Sequence, residues 1–190
     1  AVLARLLAAD CLMRSLVARP AYRRAVAKYQ VSAENFVRNS IHREVMMHPS
    51  SDFLGTPEFD CERWREALRP DWGRYNPAAP EIKAFTGRAR PRRLYGFMAI
   101  DITGNAHRVE RTQRDVRLDD MEHYYAVFQL AGGSAVIQND QVVKVVVGSC
   151  ALVDSAQPVP YVSEDLQGRW FALQLPRRSL VSHLGFDPQG

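Results

Sequence analysis

The chain has 190 residues, 46% of them hydrophobic, with 25 lysines and arginines against 21 aspartates and glutamates. That length suits one ordinary domain with an appendage, and the hydrophobic fraction excludes a disordered chain. No apolar stretch approaches the roughly 18 residues that a transmembrane helix requires, so we expect no membrane span.

The positive charge is concentrated near the N-terminus. Residues 1–50 hold eight basic and three acidic side chains, so residues 51–190 are close to neutral and lack the broad basic surface typical of DNA-binding domains. Apolar residues at helical spacing predict a helix over residues 1–18, within a basic helical leader. Its arginines are scattered, which favours a leader packed on the body over one that binds a partner or lies on a membrane surface. Alternatively, the leader is an upstream extension and translation begins at Met46 or Met47.

A short helix is predicted next, over residues 57–68. Two starts remain open, because Thr56 followed by Pro57 forms a suitable N-terminal pair and Asp60 is also a good N-cap. Residues 69–80 are rich in proline and predict a loop.

From Leu94 onward the sequence changes to short runs of β-branched and aromatic residues separated by turn residues, which predicts an antiparallel sandwich or barrel. Asn139 and Asp140 suit a two-residue hairpin turn, in which both residues need positive φ. Pro176 starts a final helix over residues 177–184. The eight predicted strands cover residues 94–103, 105–112, 123–130, 134–138, 141–147, 150–154, 160–163 and 168–175. The fold class is therefore mainly β with flanking helices.

Signatures of catalysis are missing from the sequence. The five histidines form no HxH or HxxxH pair, and the three cysteines have no CxxC spacing, so no metal site is indicated. The GxSxG, GxGxxG and P-loop patterns are also absent. We therefore expect no enzyme, no metal and no other cofactor.

One dense basic cluster stands out in the body, formed by Arg88, Arg90, Arg92 and Arg93. Such a cluster can bind phosphate groups. We favour the alternative of a solvated loop beside the acidic stretch that begins at Asp115, because no aromatic residues are interleaved with the arginines.

Polar residues within the predicted strands give the better indication of a site. The two-residue period places Arg111 on the face of Val109, and a buried arginine requires a carboxylate, which Asp154, Glu110 or the acid group of a ligand can supply. By the same period Tyr125 shares a face with Gln129, and Trp170 faces the same way as Gln174. An inward set of this kind suits a small-molecule pocket. The alternative is a core of aromatic residues with a structural pair of Arg111 and Asp154.

The run from residue 109 to 180 resembles the effector-binding N-terminal domain of AraC/XylS-type transcriptional regulators. The resemblance covers roughly residues 59–184. It depends on Arg111-Thr112, the FQLAG of residues 128–132, Gln138, Gly148, the Leu152-x-Asp154-Ser155 strand end, Pro158 and Leu175-Pro176-Arg177. Where the family commonly has Gly-Asp, this chain has Gly148-Ser149.

The resemblance implies a metal-free, cupin-like barrel or jelly roll over residues 51–190 that binds a small organic effector, often aromatic in this branch. It also implies a cytoplasmic regulator, an activator of catabolic genes that dimerises and binds DNA through a helix-turn-helix domain downstream of this chain. From the inward strand faces and this resemblance together, we expect Arg111, Tyr125, Gln129, Gln138 and Trp170 to bind the ligand, with Asp154 in structural pairing. The alternatives are a cupin-type metalloenzyme and a stand-alone binding barrel.

Overall fold

The computed structural model describes residues 53, 55–78, 84–94, 96–165 and 167–188, so the predicted leader lies outside the described residues. The described part forms three helices and ten strands. The helices are α1 (Cys61–Trp72), α2 (Gln113–Leu118) and α3 (Arg177–Leu184). The strands are β1 (Asn76–Ala78), β2 (Gly87–Leu94), β3 (Phe97–Gly104), β4 (Arg108–Arg111), β5 (His123–Ala131), β6 (Ser134–Gln138), β7 (Gln141–Val145), β8 (Cys150–Asp154), β9 (Val159–Ser163) and β10 (Gly168–Pro176).

The strands build two antiparallel five-stranded sheets that face each other. Sheet I has the order β1-β4-β9-β6-β7, and sheet II has the order β2-β3-β10-β5-β8. Every predicted strand has a counterpart in these sheets. The predicted fold class, mainly β with flanking helices and an antiparallel strand arrangement, is confirmed.

Helix α1 begins at the second of the two predicted starts. The Asp60 carboxylate accepts a hydrogen bond of 2.9 Å from the backbone N–H of Arg63, as an N-cap does. The helix then runs four residues past the predicted end, because Trp64, Leu68 and Trp72 form a buried stripe at four-residue spacing.

In the residues that the structure describes, no helix has the length and apolarity needed to cross a membrane.

Two local predictions are confirmed in their backbone geometry. Asn139 and Asp140 have φ values of 52° and 59°, as a two-residue turn of the primed type between β6 and β7 requires. Helix α3 follows Pro176 and ends at Gly185, which adopts the left-handed conformation with φ of 77°.

The predicted loops at residues 69–80 and 88–93 are wrong. The first contains the end of α1 and the short strand β1, and the second is the strand β2. In β2 Ala89 is buried between the sheets, whereas Arg88, Arg90 and Arg92 alternate with it and lie on the opposite face. Within the acidic stretch, the Asp115 carboxylate accepts from the backbone N–H of Thr112 in the capping box of α2, and Asp119 pairs with Arg111.

Sheet II carries an apolar cluster on each of its faces. One face meets sheet I and α1 around an inner core that includes Ile100, Val127 and Val153. The other face carries an outer core that includes Phe171 and Leu173, on which Leu180 of α3 packs. Alternate residues of β5 and β10 therefore serve two different clusters.

Candidate functional site

An apolar cavity of about 80 Å³ lies within the inner core. Half of its twelve lining residues are aromatic, and they include all three tryptophans of the chain. None of the twelve described side chains that line it is charged. These residues are Trp64, Leu68, Trp72, Tyr75, Ile102, Val109, Tyr125, Val127, Tyr161, Ser163, Trp170 and Ala172.

Helix α1 closes one side of the cavity with its buried stripe. Its C-terminal turn is attached to sheet II by two side chains that donate to main-chain oxygens: the Tyr125 hydroxyl to Trp72 at 3.0 Å, and the Gln174 amide to Asp71 at 2.9 Å. The last carbonyls of a helix have no partner within the helix, so these two bonds complete its end. Tyr125 therefore both lines the cavity and holds the helix that closes it.

A row of three glycines makes room for the aromatic walls. Gly87, Gly104 and Gly168 lie side by side across β2, β3 and β10. A Cβ atom at Gly168 would lie 2.4 Å from the Trp170 ring, and one at Gly87 would lie 2.9 Å from Trp64. The indoles of Trp64 and Trp170 thus pack directly against the backbone of these glycines. A side chain at either glycine would occupy the space of the indole.

The three tyrosines of the lining are neutral hydrogen-bonding groups. Burial, and after it the neighbouring Tyr161, raises the pKa of Tyr75 well above its ordinary value. Burial also raises the pKa of Tyr125 and that of Tyr161. The Tyr125 ring packs on Trp72 with centroids 5.1 Å apart, and Tyr75 on Tyr161 with centroids 6.2 Å apart.

Arg111 lies behind the cavity wall, with its guanidinium engaged by other protein groups. It pairs with both carboxylate oxygens of Asp119 and donates to the carbonyl oxygen of Ser155 at 2.9 Å. The guanidinium also lies 5.8 Å from the ring centroid of Tyr75. The required carboxylate is thus Asp119, and neither of the predicted partners, Asp154 and Glu110, takes that role. The predicted contact of Arg111 with a ligand stays a prediction.

The two predicted glutamines are bonded within the sheets. Gln129 is buried; its amide donates to the Ala131 carbonyl at 2.6 Å and its oxygen accepts from Ser134 at 2.8 Å. Gln138 forms a reciprocal pair with the backbone N–H and carbonyl of Asp154, both at 2.9 Å. Of the five predicted ligand residues, Tyr125 and Trp170 line the cavity, and Gln129, Gln138 and Arg111 are not among its lining.

The predicted pairing of Asp154 is observed with a different arginine. Its buried carboxylate contacts Arg177, the first residue of α3. Arg177 also donates to the Tyr124 hydroxyl at 3.0 Å and pairs with Asp187 at 3.1 Å, while Tyr124 donates to Asp187. This network ties α3 to the outer face of β5.

The α1 side of the site was not predicted. Because residues 69–80 were predicted to be a loop, Trp72 was placed outside the helix, although Trp64, Leu68 and Trp72 form an apolar stripe at i, i+4 and i+8 in the sequence. The described residues contain no group of three or more histidine, cysteine, aspartate or glutamate side chains that could hold a metal ion.

Comparison with known structures finds a similar fold. No protein-family model matches the chain, and neither does any curated protein. The crystal structure of the AraC-like transcriptional activator CuxR matches with a TM-score of 0.56 and 16% identity, over 68% of this chain and 50% of that chain. This chain shares its fold with an AraC-like activator. It spans about half of that protein's length.

Two further structures match less closely. One is a Cupin_2 domain of an XRE-family transcriptional regulator from Enterobacter cloacae, with a TM-score of 0.38 and 10% identity over 47% of this chain and 95% of that chain. The other is an HTH_3-family transcriptional regulator from Vibrio cholerae, with a TM-score of 0.40 and 13% identity over 87% and 85%.

Proposed function

We propose that residues 51–190 are the effector-binding domain of a bacterial AraC-type transcription regulator, and that a small organic ligand binds in the cavity. The observation that carries the proposal is the uncharged cavity lined by all three tryptophans. The fold shared with an AraC-like activator supports the choice of regulator class. In this proposal the domain senses a ligand and catalyses no reaction.

The chemistry of the lining suits a ligand with an apolar ring. Aromatic side chains bury large areas, and offset or edge contacts between rings add about 0.5–1.5 kcal/mol beyond area burial. Six aromatic side chains from α1, β5, β9, β10 and the segment before β1 surround one cavity. A site with that composition needs few polar contacts to orient a ligand.

The residue roles follow from position. Tyr125 and Trp170 form walls together with Trp64, Trp72 and Tyr75. Arg111, Gln129 and Gln138, also predicted as ligand residues, are proposed to act by holding the walls in place.

The rest of the regulator belongs to the same proposal. A helix-turn-helix domain outside this chain would bind DNA, and the complete protein would be a cytoplasmic, dimeric activator of catabolic genes. Ligand binding would favour one arrangement of the barrel and its flanking helices over another. A ligand shifts the equilibrium between two such arrangements when its affinities for them differ.

A thermal-shift screen of small organic compounds tests the proposal. A ligand at 100 times its Kd stabilises the folded protein by about 2.7 kcal/mol, which a melting curve resolves. Trp170 and Phe171 are neighbours on β10 that point to the cavity and to the outer core, respectively. Trp170→Leu is expected to abolish the stabilisation, and the matched control Phe171→Leu to retain it. A ligand whose effect survives Trp170→Leu binds elsewhere and contradicts the proposal.

A further inference from the structure

We propose that the ligand of this cavity is an uncharged compound no larger than about one aromatic ring, and that the site discriminates against carboxylates. This inference rests on the proposed function and goes beyond it by naming the ligand class. It departs from the sequence-based expectation that Arg111 offers a counter-charge to a ligand.

The first argument is the absence of charge at the cavity surface. The twelve described lining residues are aromatic or aliphatic apart from Ser163, and their polar groups, which are three phenol hydroxyls, three indole N–H groups and one serine hydroxyl, are all uncharged. An ionised group that leaves water for such surroundings loses its hydration and gains no ion pair in return. A carboxylate is therefore disfavoured relative to a neutral group of the same shape.

The second argument is that Arg111, whose guanidinium lies 5.8 Å from the ring centroid of the lining residue Tyr75, is already neutralised. The side chain of Arg111 is fully buried, and Asp119 pairs with it through both carboxylate oxygens. Its remaining contacts include the carbonyl oxygens of Ser155 and Arg74, at 2.9 and 3.4 Å. Recruiting this guanidinium to a ligand would leave Asp119 without its counter-charge, which is costly for a pair of this kind.

The third argument concerns hydrogen bonding. Among the described lining residues, the indole N–H groups of Trp64, Trp72 and Trp170 and the hydroxyl of Tyr75 are buried and have no hydrogen-bond partner. An indole offers a donor and no acceptor, so the three tryptophan side chains of the lining favour a ligand that carries an accepting oxygen. Neutral donors can bind a hydroxyl, ether or carbonyl oxygen without the desolvation cost of an anion.

The size limit follows from the volume. A dry engineered cavity of about 150 Å³ binds benzene, and the cavity here measures about 80 Å³. One ring therefore enters only when the aromatic walls move outward, and a second ring exceeds what such adjustment provides.

The experiment compares benzamide with benzoate, which have nearly the same shape and differ in charge at pH 7. Binding to the purified domain is followed by isothermal titration calorimetry and by the emission of its tryptophans, all three of which line the cavity. We expect benzamide to bind at least tenfold more tightly than benzoate. Equal affinities, or a preference for benzoate, would overturn the inference.

A variant with an added cation provides the reverse test. Ser163 is half-buried at the cavity surface, so Ser163→Lys is expected to increase benzoate affinity, whereas the control Ser163→Met is not. A screening hit that carries a charge or two fused rings, and whose effect is lost in Trp170→Leu, would overturn the ligand class while leaving the proposed function in place. Screening hits that all survive Trp170→Leu would overturn both.

Discussion

The phenol of Tyr125 donates a hydrogen bond of 3.0 Å to the main-chain oxygen of Trp72, and so joins strand β5 of sheet II to the last residue of α1. The preceding residue, Tyr124, points to the other face of the sheet, where it bonds to Arg177, the first residue of α3, and to Asp187, which follows that helix. Two adjacent residues of β5 thus connect the helix that closes the cavity with the helix that packs on the outer face of sheet II. A change in the position of β5 would reach both helices.

Removing the Tyr125 hydroxyl should therefore weaken the attachment of α1. Tyr125→Phe leaves the ring in place and removes the donor to a buried carbonyl, which is expected to lower the free energy of unfolding by about 1–2 kcal/mol. Urea denaturation measures this change. Gln174→Ala removes the neighbouring bond, which is exposed, and should cost less. Equal stability of Tyr125→Phe and wild type would show that the bond does not hold the helix.

The glycine row gives a prediction with an internal control. Gly168→Ala places a Cβ atom against the Trp170 ring, and we expect a loss of about 1–3 kcal/mol and altered tryptophan emission. At Gly104 the nearest atoms to a Cβ are 3.6 Å away or more, and φ is not in the left-handed region. Gly104→Ala should therefore change stability and emission much less. The opposite order would mean that Trp170 does not lie on the row.

Asp119→Asn tests the pairing behind the cavity wall. The substitution leaves the buried charge of Arg111 without a counter-charge, so we expect a loss of about 3–5 kcal/mol at pH 7. Chemical denaturation of both proteins measures it. Arg111→Met together with Asp119→Asn removes both charges, and we expect it to recover part of the loss.

The effect of Asp119 should depend on pH with a defined sign. Burial alone would raise its pKa, but the hydrogen bonds from Arg111 and from the backbone N–H of Arg74 outweigh burial and lower it. The folded state therefore binds this proton less readily than the unfolded state, whose aspartate titrates near pH 4 (about 3.9). The contribution of the Asp119 carboxylate to the free energy of unfolding is fully present above the unfolded-state pKa. It is lost as the pH falls through the lower pKa of the folded state. The stability gap between wild type and Asp119→Asn should accordingly shrink in acid, and a gap that widens would contradict the pairing.

The hairpin turn between β6 and β7 can be improved. Asp140 has a φ of 59°, which glycine adopts without the cost of a Cβ atom. Asp140→Gly is expected to raise the free energy of unfolding by about 0.5 kcal/mol, and Asp140→Ala to lower it. Thermal unfolding of the two variants, compared with wild type, separates these outcomes.

The strands were predictable where local signals agreed with the fold. Asn139-Asp140 and Gly185 determine backbone conformation by their own chemistry, and the structure bears both out. The strand β2 was missed because its arginines suggested a solvated loop. Its alternation of Arg88, Ala89 and Arg90 was the signal for a strand with one polar face.

The site was predictable only in part, for a related reason. The alternation of side chains along a strand was sufficient to predict that Tyr125 and Trp170 face inward, because this two-residue period depends only on the local sequence. Which helix covers the cavity, and which carboxylate reaches Arg111, depend on long-range packing. Asp119 reaches Arg111 because the chain passes through α2 between them, and nothing in the spacing distinguishes it from Asp154.

The apolar cluster on the outer face of sheet II has a practical consequence for handling the protein. Leu180 seals part of the outer core that includes Phe171, Leu173 and Leu175. A truncated chain that ends at Pro176 would expose these side chains to water as an apolar patch. We expect it to precipitate or self-associate during purification. Helix α3 thus shields the outer face of sheet II from water, and any truncated protein prepared for crystallisation should retain it.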